Sequence, residues 1–144
     1  MWWITYNQWT TQMRLHMEFP SNDIAVAKLL RTTRNQIIPA TLSITPNIRM
    51  YRLKVQVAGC GLSNDNVSPQ IIQTAKLKII KKIECEAIAM RLLGHREIIE
   101  ERYLCTIANP YTLLSSGDSG GPLFYRNIIL GINVGNYPSL NDCM

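Results

Sequence analysis

The sequence Gly-Asp-Ser-Gly-Gly-Pro-Leu at residues 117–123 is the most informative stretch of this 144-residue chain. A serine that attacks a carbonyl needs an exposed hydroxyl on a tight backbone turn, with amide N–H groups directed at the oxygen that becomes negative. Gly117 and Gly120 lie on either side of Ser119, and glycine reaches dihedral angles that other residues avoid. Composition alone favours a plain loop, because glycine, serine and proline are common in turns. The stretch therefore predicts either a simple loop or a turn built around a nucleophile.

The order of the residues separates these two interpretations, because the stretch resembles the nucleophile motif of the chymotrypsin-like (trypsin-like) serine proteases, with Ser119 as the nucleophile. Residues 22–29, Asn-Asp-Ile-Ala-Val-Ala-Lys-Leu, resemble the family segment that carries the catalytic aspartate, which would be Asp23. Residues 57–61, Val-Ala-Gly-Cys-Gly, are similar to the family's Val-Ala-Gly-Trp-Gly. The three segments follow the family's order, and the chain is identified as a member of the family over nearly its whole length.

The family's catalytic base is a histidine in a Thr-Ala-Ala-His-Cys context upstream of the aspartate, and this sequence contains no such segment. His16 is similar to the non-catalytic histidine that often precedes the aspartate segment. His95 follows a predicted helix, where an exposed loop residue or a helix C-cap residue is expected. Because a serine hydroxyl is a poor nucleophile until a base removes its proton, we predict that the 144-residue chain is inactive by itself.

The resemblance implies an all-β fold, the chymotrypsin-like double β-barrel, with one short helix. A protease with two such barrels needs roughly 220 to 240 residues, whereas this chain has the length of one ordinary domain. We therefore expect a C-terminal fragment. Residues 1–36 are assigned to the end of the N-terminal barrel, residues 37–49 to the linker between the barrels, and residues 50–144 to an incomplete C-terminal barrel.

Local patterns predict individual elements of the second barrel. Apolar and polar residues alternate over residues 51–57, which predicts a strand with one buried face. The apolar residues between 84 and 93 suit a short helix that ends at Gly94. Further along, the sequence predicts a hairpin that turns at Arg126-Asn127.

Composition and charge limit the classes of partner. Hydrophobic residues make up 47% of the chain and the net charge is +5, which is compatible with a folded core. The most basic run contains Lys76, Lys78, Lys81 and Lys82, and its alternation favours a half-buried strand with a solvated lysine face over a binding patch. The basic residues do not cluster as a nucleic-acid site requires, and no stretch of about 18 apolar residues predicts a membrane span. We expect a monomer that acts on a protein or peptide, with neither a nucleic-acid nor a membrane partner.

The four cysteines allow three pairings if all are oxidised. The resemblance narrows the choice, because Cys85 and Cys105 match a family pair, and such a bridge contributes about 3 kcal/mol through the unfolded state. Cys143 is similar to one half of another pair whose second position holds Ser115. Cys60 and Cys143 are then free thiols or partners of each other. No Cys-x-x-Cys or Cys/His cluster is present, so we expect no metal and no cofactor.

The resemblance also assigns roles around the serine. The N–H groups of Gly117 and Ser119 would form the oxyanion hole. Leu113 would lie at the base of the specificity pocket, which either suits a large hydrophobic side chain or indicates that the pocket is filled. In the family, the residue at Asp118 pairs with a freshly cut N-terminus. Without that partner we expect a buried, uncompensated charge and a disordered loop.

Three functional hypotheses follow from the sequence. In the first, the chain is part of a secreted serine endopeptidase. In the second, it is a protease homologue that acts by binding, and in the third it is a truncated product without a settled function. Secretion is implied by the family alone, because residues 1–9 lack the features of a signal peptide. The sequon Asn66-Val67-Ser68 is a weak signal for glycosylation because Pro69 follows it, and the alternative interpretation is a plain polar loop.

Overall fold

The computed structural model describes residues 2–16, 22–31, 37–63, 67, 69–110, 112 and 114–136. The chain divides into two compact units, residues 1–39 and residues 40–144. The three-part division suggested by the sequence, with boundaries after residues 36 and 49, stays a prediction. Four residues to which the sequence gave roles lie outside the described part of the chain: Asn66, Ser68, Leu113 and Cys143.

The first unit contains a two-stranded antiparallel sheet and a short helix. Strand β1 (Trp2–Thr5) pairs with strand β2 (Ala25–Lys28), and helix α1 (Tyr6–Gln12) follows β1 directly. The Thr5 hydroxyl accepts a hydrogen bond from the Gln8 N–H at 3.2 Å, and the Gln8 side chain accepts one from the Thr5 N–H at 3.0 Å. This reciprocal capping box satisfies N–H groups that the start of a helix leaves without partners.

The described residues contain a second short helix, α1, besides the one that the sequence predicts. Helix α1 has no counterpart among the sequence predictions, since an apolar stripe is the usual sign of a helix and only Thr10 is buried in this one. The Thr5-x-x-Gln8 pattern is a capping-box signal that points to the start of this helix.

A six-stranded sheet forms the framework of the second unit. Its strands are β3 (Thr41–Leu42), β4 (Lys54–Gly59), β5 (Gln73–Ile80), β6 (Cys105–Ile107), β7 (Pro122–Tyr125) and β8 (Ile128–Ile132). Their order across the sheet is β3-β8-β7-β4-β5-β6. Neighbouring strands are antiparallel except for β3 and β8, which are parallel. The predominance of β-sheet in the described residues confirms the predicted all-β class.

The core of this unit lies on one face of the sheet, centred on β4 and β5. The buried cluster contains Met50, Val55, Val57, Leu77, Ile79 and Leu123. Successive side chains of a strand point to opposite faces, so the lysines that alternate with these residues are exposed on the other face. Both half-buried strands expected from the alternation are therefore confirmed.

Helix α2 (Lys82–Leu93) follows β5 and ends where the sequence predicts. Gly94 has a φ of +74°, and its N–H donates a hydrogen bond to the Met90 carbonyl at 3.0 Å. A disulfide joins Cys85 in this helix to Cys105 in β6, which confirms the predicted bridge. Cys60 is exposed, and the two alternatives for Cys60 and Cys143, free thiols or a mutual pair, both stay predictions. In the described part of the chain, no helix is long and apolar enough to cross a membrane.

Strands β7 and β8 form the predicted hairpin, with its two-residue turn at Arg126-Asn127. Arg126 adopts a positive φ of +55° in this turn. Strand β3 attaches to the same hairpin, since the Thr41 N–H donates to the Asn127 carbonyl at 3.0 Å. The hairpin fixes the position of the loop that leads into β7, and that loop contains Ser119.

Candidate active site

Ser119 lies on an exposed turn immediately before β7. Gly117 and Gly120 have φ angles of +96° and +79°, conformations that other residues rarely adopt. The Gly120 N–H donates to the Asn133 carbonyl at 2.8 Å, and the Asn133 N–H donates to the Gly121 carbonyl at 2.8 Å. The serine is thus carried on a sharp turn that is hydrogen-bonded to the residue after β8.

The carboxylate of Asp118 organises this turn. Its Oδ1 accepts a hydrogen bond from the Gly61 N–H at 2.8 Å, and its Oδ2 accepts one from the Ser115 N–H at 2.9 Å. Hydrogen bonds from neutral amides to a charged acceptor are stronger than ordinary ones and compensate a partly buried charge. The expectation of an uncompensated charge in a disordered loop is therefore wrong, because backbone amides of this chain supply the partners.

The glycines of residues 57–61 allow Asp118 to approach the backbone. A Cβ built on Gly59 would lie 2.0 Å from the Asp118 Oδ1, and one built on Gly61 would lie 2.5 Å from its Cγ. Real Cβ atoms do not come so close to other heavy atoms, so any side chain there would displace the carboxylate. Two segments far apart in the sequence therefore meet at one carboxylate.

Ser115 adds a second link between the same two segments. Its hydroxyl donates to the Leu62 carbonyl at 2.5 Å, and the Leu62 N–H donates to the Ser116 carbonyl at 2.9 Å. Ser115 stands where the resemblance led us to expect a cysteine. Two hydrogen bonds thus join the segment before Ser119 to Leu62.

We expect Ser115→Ala to lower the free energy of unfolding by about 1 kcal/mol, because the hydroxyl's hydrogen bond is lost. Ser116→Ala is the matched control, since Ser116 uses its backbone carbonyl in this contact. Urea denaturation of the two variants measures the difference. An equal loss in both variants would show that the Ser115 hydroxyl contributes nothing specific.

The N–H groups of Gly117 and Ser119 are available for a ligand. Neither group donates a hydrogen bond to another described residue, and both residues are exposed. The other N–H groups of the turn are used within the protein, namely those of Asp118, Gly120 and Gly121. Two unused donors beside a serine hydroxyl are what an oxyanion hole requires. Their assignment to that role stays a prediction.

A cavity of about 20 Å³ lies beside Ser119. Its lining consists of Leu114, Ser115, Asp118, Ser119, Asn133, Gly135 and Asn136. A space of this size holds about one water molecule. Leu114 packs against the core cluster, whereas Leu113 lies outside the described residues. Both interpretations of the specificity pocket therefore stay predictions.

Asp23 lies in the first unit, just before β2, and is exposed. Asn22 has a φ of +65°, and the Ile24 N–H donates to the Asn22 carbonyl at 2.8 Å, so these residues form a turn into the strand. Within the described chain, the Asp23 carboxylate takes part in no hydrogen bond or ion pair. Its role as the carboxylate that orients a histidine stays a prediction.

His95, the histidine that shares the second unit with Ser119, is not placed to act as its base. The His95 Nδ1 lies 3.2 Å from the Leu93 carbonyl oxygen, and its Nε2 lies 3.8 Å from the Glu97 Oε2. Both ring nitrogens of this exposed side chain therefore face residues at the end of helix α2 or just after it. His16 belongs to the first unit and is also exposed. Across the described residues, no group of three or more His, Cys, Asp or Glu side chains could hold a metal ion.

The chain was compared with models of known protein families. The family model named Trypsin matches residues 3–142, nearly the whole chain. The chain therefore belongs to the trypsin family of chymotrypsin-like serine proteases, which confirms the resemblance. Together with the β-rich structure, the match also confirms the chymotrypsin-like β-barrel fold. No curated protein matches the chain significantly.

Proposed function

We propose that this protein is the C-terminal part of a secreted serine endopeptidase that hydrolyses peptide bonds in proteins or peptides. The observation that carries the proposal is the turn at Ser119, with two unused N–H donors at Gly117 and Ser119. Family membership over residues 3–142 supports a serine protease-like function in general. Secretion is proposed from the family alone.

The proposed chemistry divides the work among three groups of this chain. The Ser119 hydroxyl attacks the carbonyl carbon of the scissile bond, and the N–H groups of Gly117 and Ser119 stabilise the oxygen that becomes negative. Asp23 holds a histidine in the orientation that accepts the serine proton. That histidine comes from a segment that the present sequence does not contain.

The 144-residue chain alone is therefore expected not to hydrolyse peptides and not to react fully with a serine-directed fluorophosphonate. Without a base the hydroxyl keeps its proton and remains a weak nucleophile. Mass spectrometry after incubation with the reagent measures the modified fraction, with Ser119→Ala as the background control. Saturating modification of Ser119 would contradict the claim that the base is missing.

The three functional hypotheses differ in whether the same transcript encodes the catalytic histidine. A Thr-Ala-Ala-His-Cys-like segment in the same transcript supports the endopeptidase, and a longer chain that contains it should react with the fluorophosphonate at Ser119. A complete transcript without that segment would contradict the endopeptidase proposal. A chain that aggregates or is rapidly degraded on expression supports the third hypothesis, a truncated product.

The lack of a Thr-Ala-Ala-His-Cys-like segment in this sequence supports a second candidate function. Without a base the serine is not activated, so a protease homologue that acts by protein binding is the alternative. This candidate predicts a stable full-length protein in which another residue replaces the histidine. Binding of a protein partner without any cleavage of it would distinguish this candidate from the enzyme.

A further inference from the structure

Helix α2 buries little of its apolar surface. Most of its twelve residues are apolar, yet only Ala89 is buried. Ile83 and Met90 have exposed fractions of 75% and 56%, and Ala87 between them is also exposed. Residues three or four positions apart lie on one face of a helix, so these three form a continuous strip, which we call the apolar stripe. A surface helix normally turns such a stripe toward the core, and no described residue of this chain covers this one.

Two opposite charges border the apolar stripe on the same flank. Glu84 and Arg91 each follow a stripe residue by one position, which places both about 100° further around the helix. They lie about 10.5 Å apart along the helix axis, and among the described residues neither takes part in a hydrogen bond or an ion pair. On the other flank, Lys82 lies 3.9 Å from Glu86, which also accepts a hydrogen bond from the Ile99 N–H at 3.2 Å. One flank is therefore satisfied within the chain, and the other is open to a partner.

We propose that α2 forms a symmetric dimer in which the apolar stripes of two copies of this chain pack against each other in antiparallel orientation. The two-fold axis of such a dimer reverses the direction of the helix, so contacts occur in reciprocal pairs. Glu84 of one copy therefore lies opposite Arg91 of the second copy, twice in each dimer. Ile83 of one copy meets Met90 of the second copy. Ala87 lies at the centre, where a small side chain lets the helices approach closely.

The charges of the open flank identify a second copy as the occupant. An unrelated partner would need an acidic and a basic residue two helical turns apart in the reverse order, whereas a second copy supplies them by symmetry. Carboxylates also border the stripe on both sides, at Glu84 and Glu86, and helices that lie on anionic membranes carry Lys and Arg on their polar face instead. The stripe therefore favours self-association over a membrane surface.

The contact between the two helices is small. A helix of twelve residues is about 18 Å long, so the contact falls short of the roughly 800 Å² that each partner buries in a standard interface. We therefore expect a weak dimer with a dissociation constant of roughly 10–500 µM. The dimer departs from the monomer that the sequence alone leads us to expect, because the exposure of α2 is visible only in the structure. It does not depend on the proposed protease chemistry.

Sedimentation equilibrium of the 144-residue chain between about 10 µM and 1 mM tests the proposal. Glu84→Arg and Arg91→Glu each place like charges opposite each other twice in the dimer, so each should weaken self-association at least about tenfold. An equimolar mixture of the two variants should associate within about threefold of the wild type, because every contact in the mixed dimer joins Arg to Glu again. Both variants keep a positive net charge, since each reversal changes the wild-type value of +5 by two. Overall charge therefore does not draw them together.

Two further variants separate the dimer from effects on folding and net charge. Arg96→Glu makes the same charge change as Arg91→Glu at an exposed position beyond α2, and we expect its affinity to stay within about threefold of the wild type. Ala87→Gln keeps a good helix former but places a longer side chain at the centre, so it should weaken the dimer at least about tenfold while circular dichroism shows the helix intact.

Four results would overturn the proposal. The first is a wild-type chain that stays monomeric at about 1 mM. The second is a mixture of the two reversal variants that associates no more tightly than either variant alone. The third is an equal loss of affinity in Arg96→Glu and Arg91→Glu, which would reduce the effect to net charge. The fourth is binding of the chain to vesicles of phosphatidylserine and phosphatidylcholine without self-association, which would assign the stripe to a membrane.

Discussion

Replacing Gly59 by alanine is expected to lower the free energy of unfolding by roughly 3–6 kcal/mol, the sum of two charge-assisted hydrogen bonds. The new Cβ would lie 2.0 Å from the Asp118 Oδ1, so the carboxylate has to leave its position. Its contacts with the N–H groups of Gly61 and Ser115 are then lost together. Urea denaturation gives the size of the loss, and amide hydrogen exchange at Gly61 and Ser115 shows whether these two bonds are the ones broken.

Gly131→Ala is the matched control for this substitution. A Cβ at Gly131, in β8, has no atom within 4 Å, so we expect a change within about 0.5 kcal/mol. A Gly59→Ala variant that keeps the wild-type stability would show that the loop accommodates a methyl group without releasing Asp118. In that case the close approach of backbone and carboxylate would not be what requires glycine at this position.

Replacing Ile79 by alanine is expected to lower the free energy of unfolding by about 2–5 kcal/mol, as found for large-to-small changes in protein cores. Ile79 has an exposed fraction of 0% and belongs to the core cluster. Its neighbours are held by the sheet, since the Ile79 N–H donates to the Leu53 carbonyl and the Ile79 carbonyl accepts from the Arg52 N–H. The core therefore cannot collapse freely around the missing methylene groups. Thermal and urea denaturation measure the loss.

Ile44→Ala serves as the control for the core substitution. Ile44 has an exposed fraction of 98%, so truncating it removes little buried surface and should change stability by less than about 0.5 kcal/mol. The difference in unfolding free energy between the two variants measures the effect of burial, since the residue type is the same. Similar losses in both variants would indicate that the second unit lacks a packed core in solution.

Strands β4 and β5, the β7–β8 hairpin and helix α2 could be predicted because their signals are local. Apolar residues alternate in β4 and β5, and only one face of each strand reaches the core. Gly94 ends α2 because it takes the positive φ of a helix C-cap, a requirement visible from residue type. The Cys85–Cys105 bridge could be predicted only from the family resemblance, since spacing alone allows three pairings.

Other features depend on contacts that residue types do not reveal. The partners of Asp118 are backbone N–H groups, one of them 57 positions away at Gly61, and every residue except proline offers such a group. Strand β3 has two residues, which is too short for any periodicity. Helix α1 buries only Thr10 and so carries no apolar stripe. For these features hydrophobic periodicity gives no prediction, because contacts between distant residues determine their structure.

The bond between Gly61 and Asp118 also has a consequence for biosynthesis. During translation the segment around Gly61 is synthesised well before Asp118. The Gly61 N–H therefore lacks its carboxylate acceptor until residue 118 has been added. The turn that carries Ser119 can then form only when β7 arrives beside β4, late in translation. Contacts between such distant positions form slowly. A nascent chain arrested before residue 118 should therefore remain a ready target for chaperones and proteases.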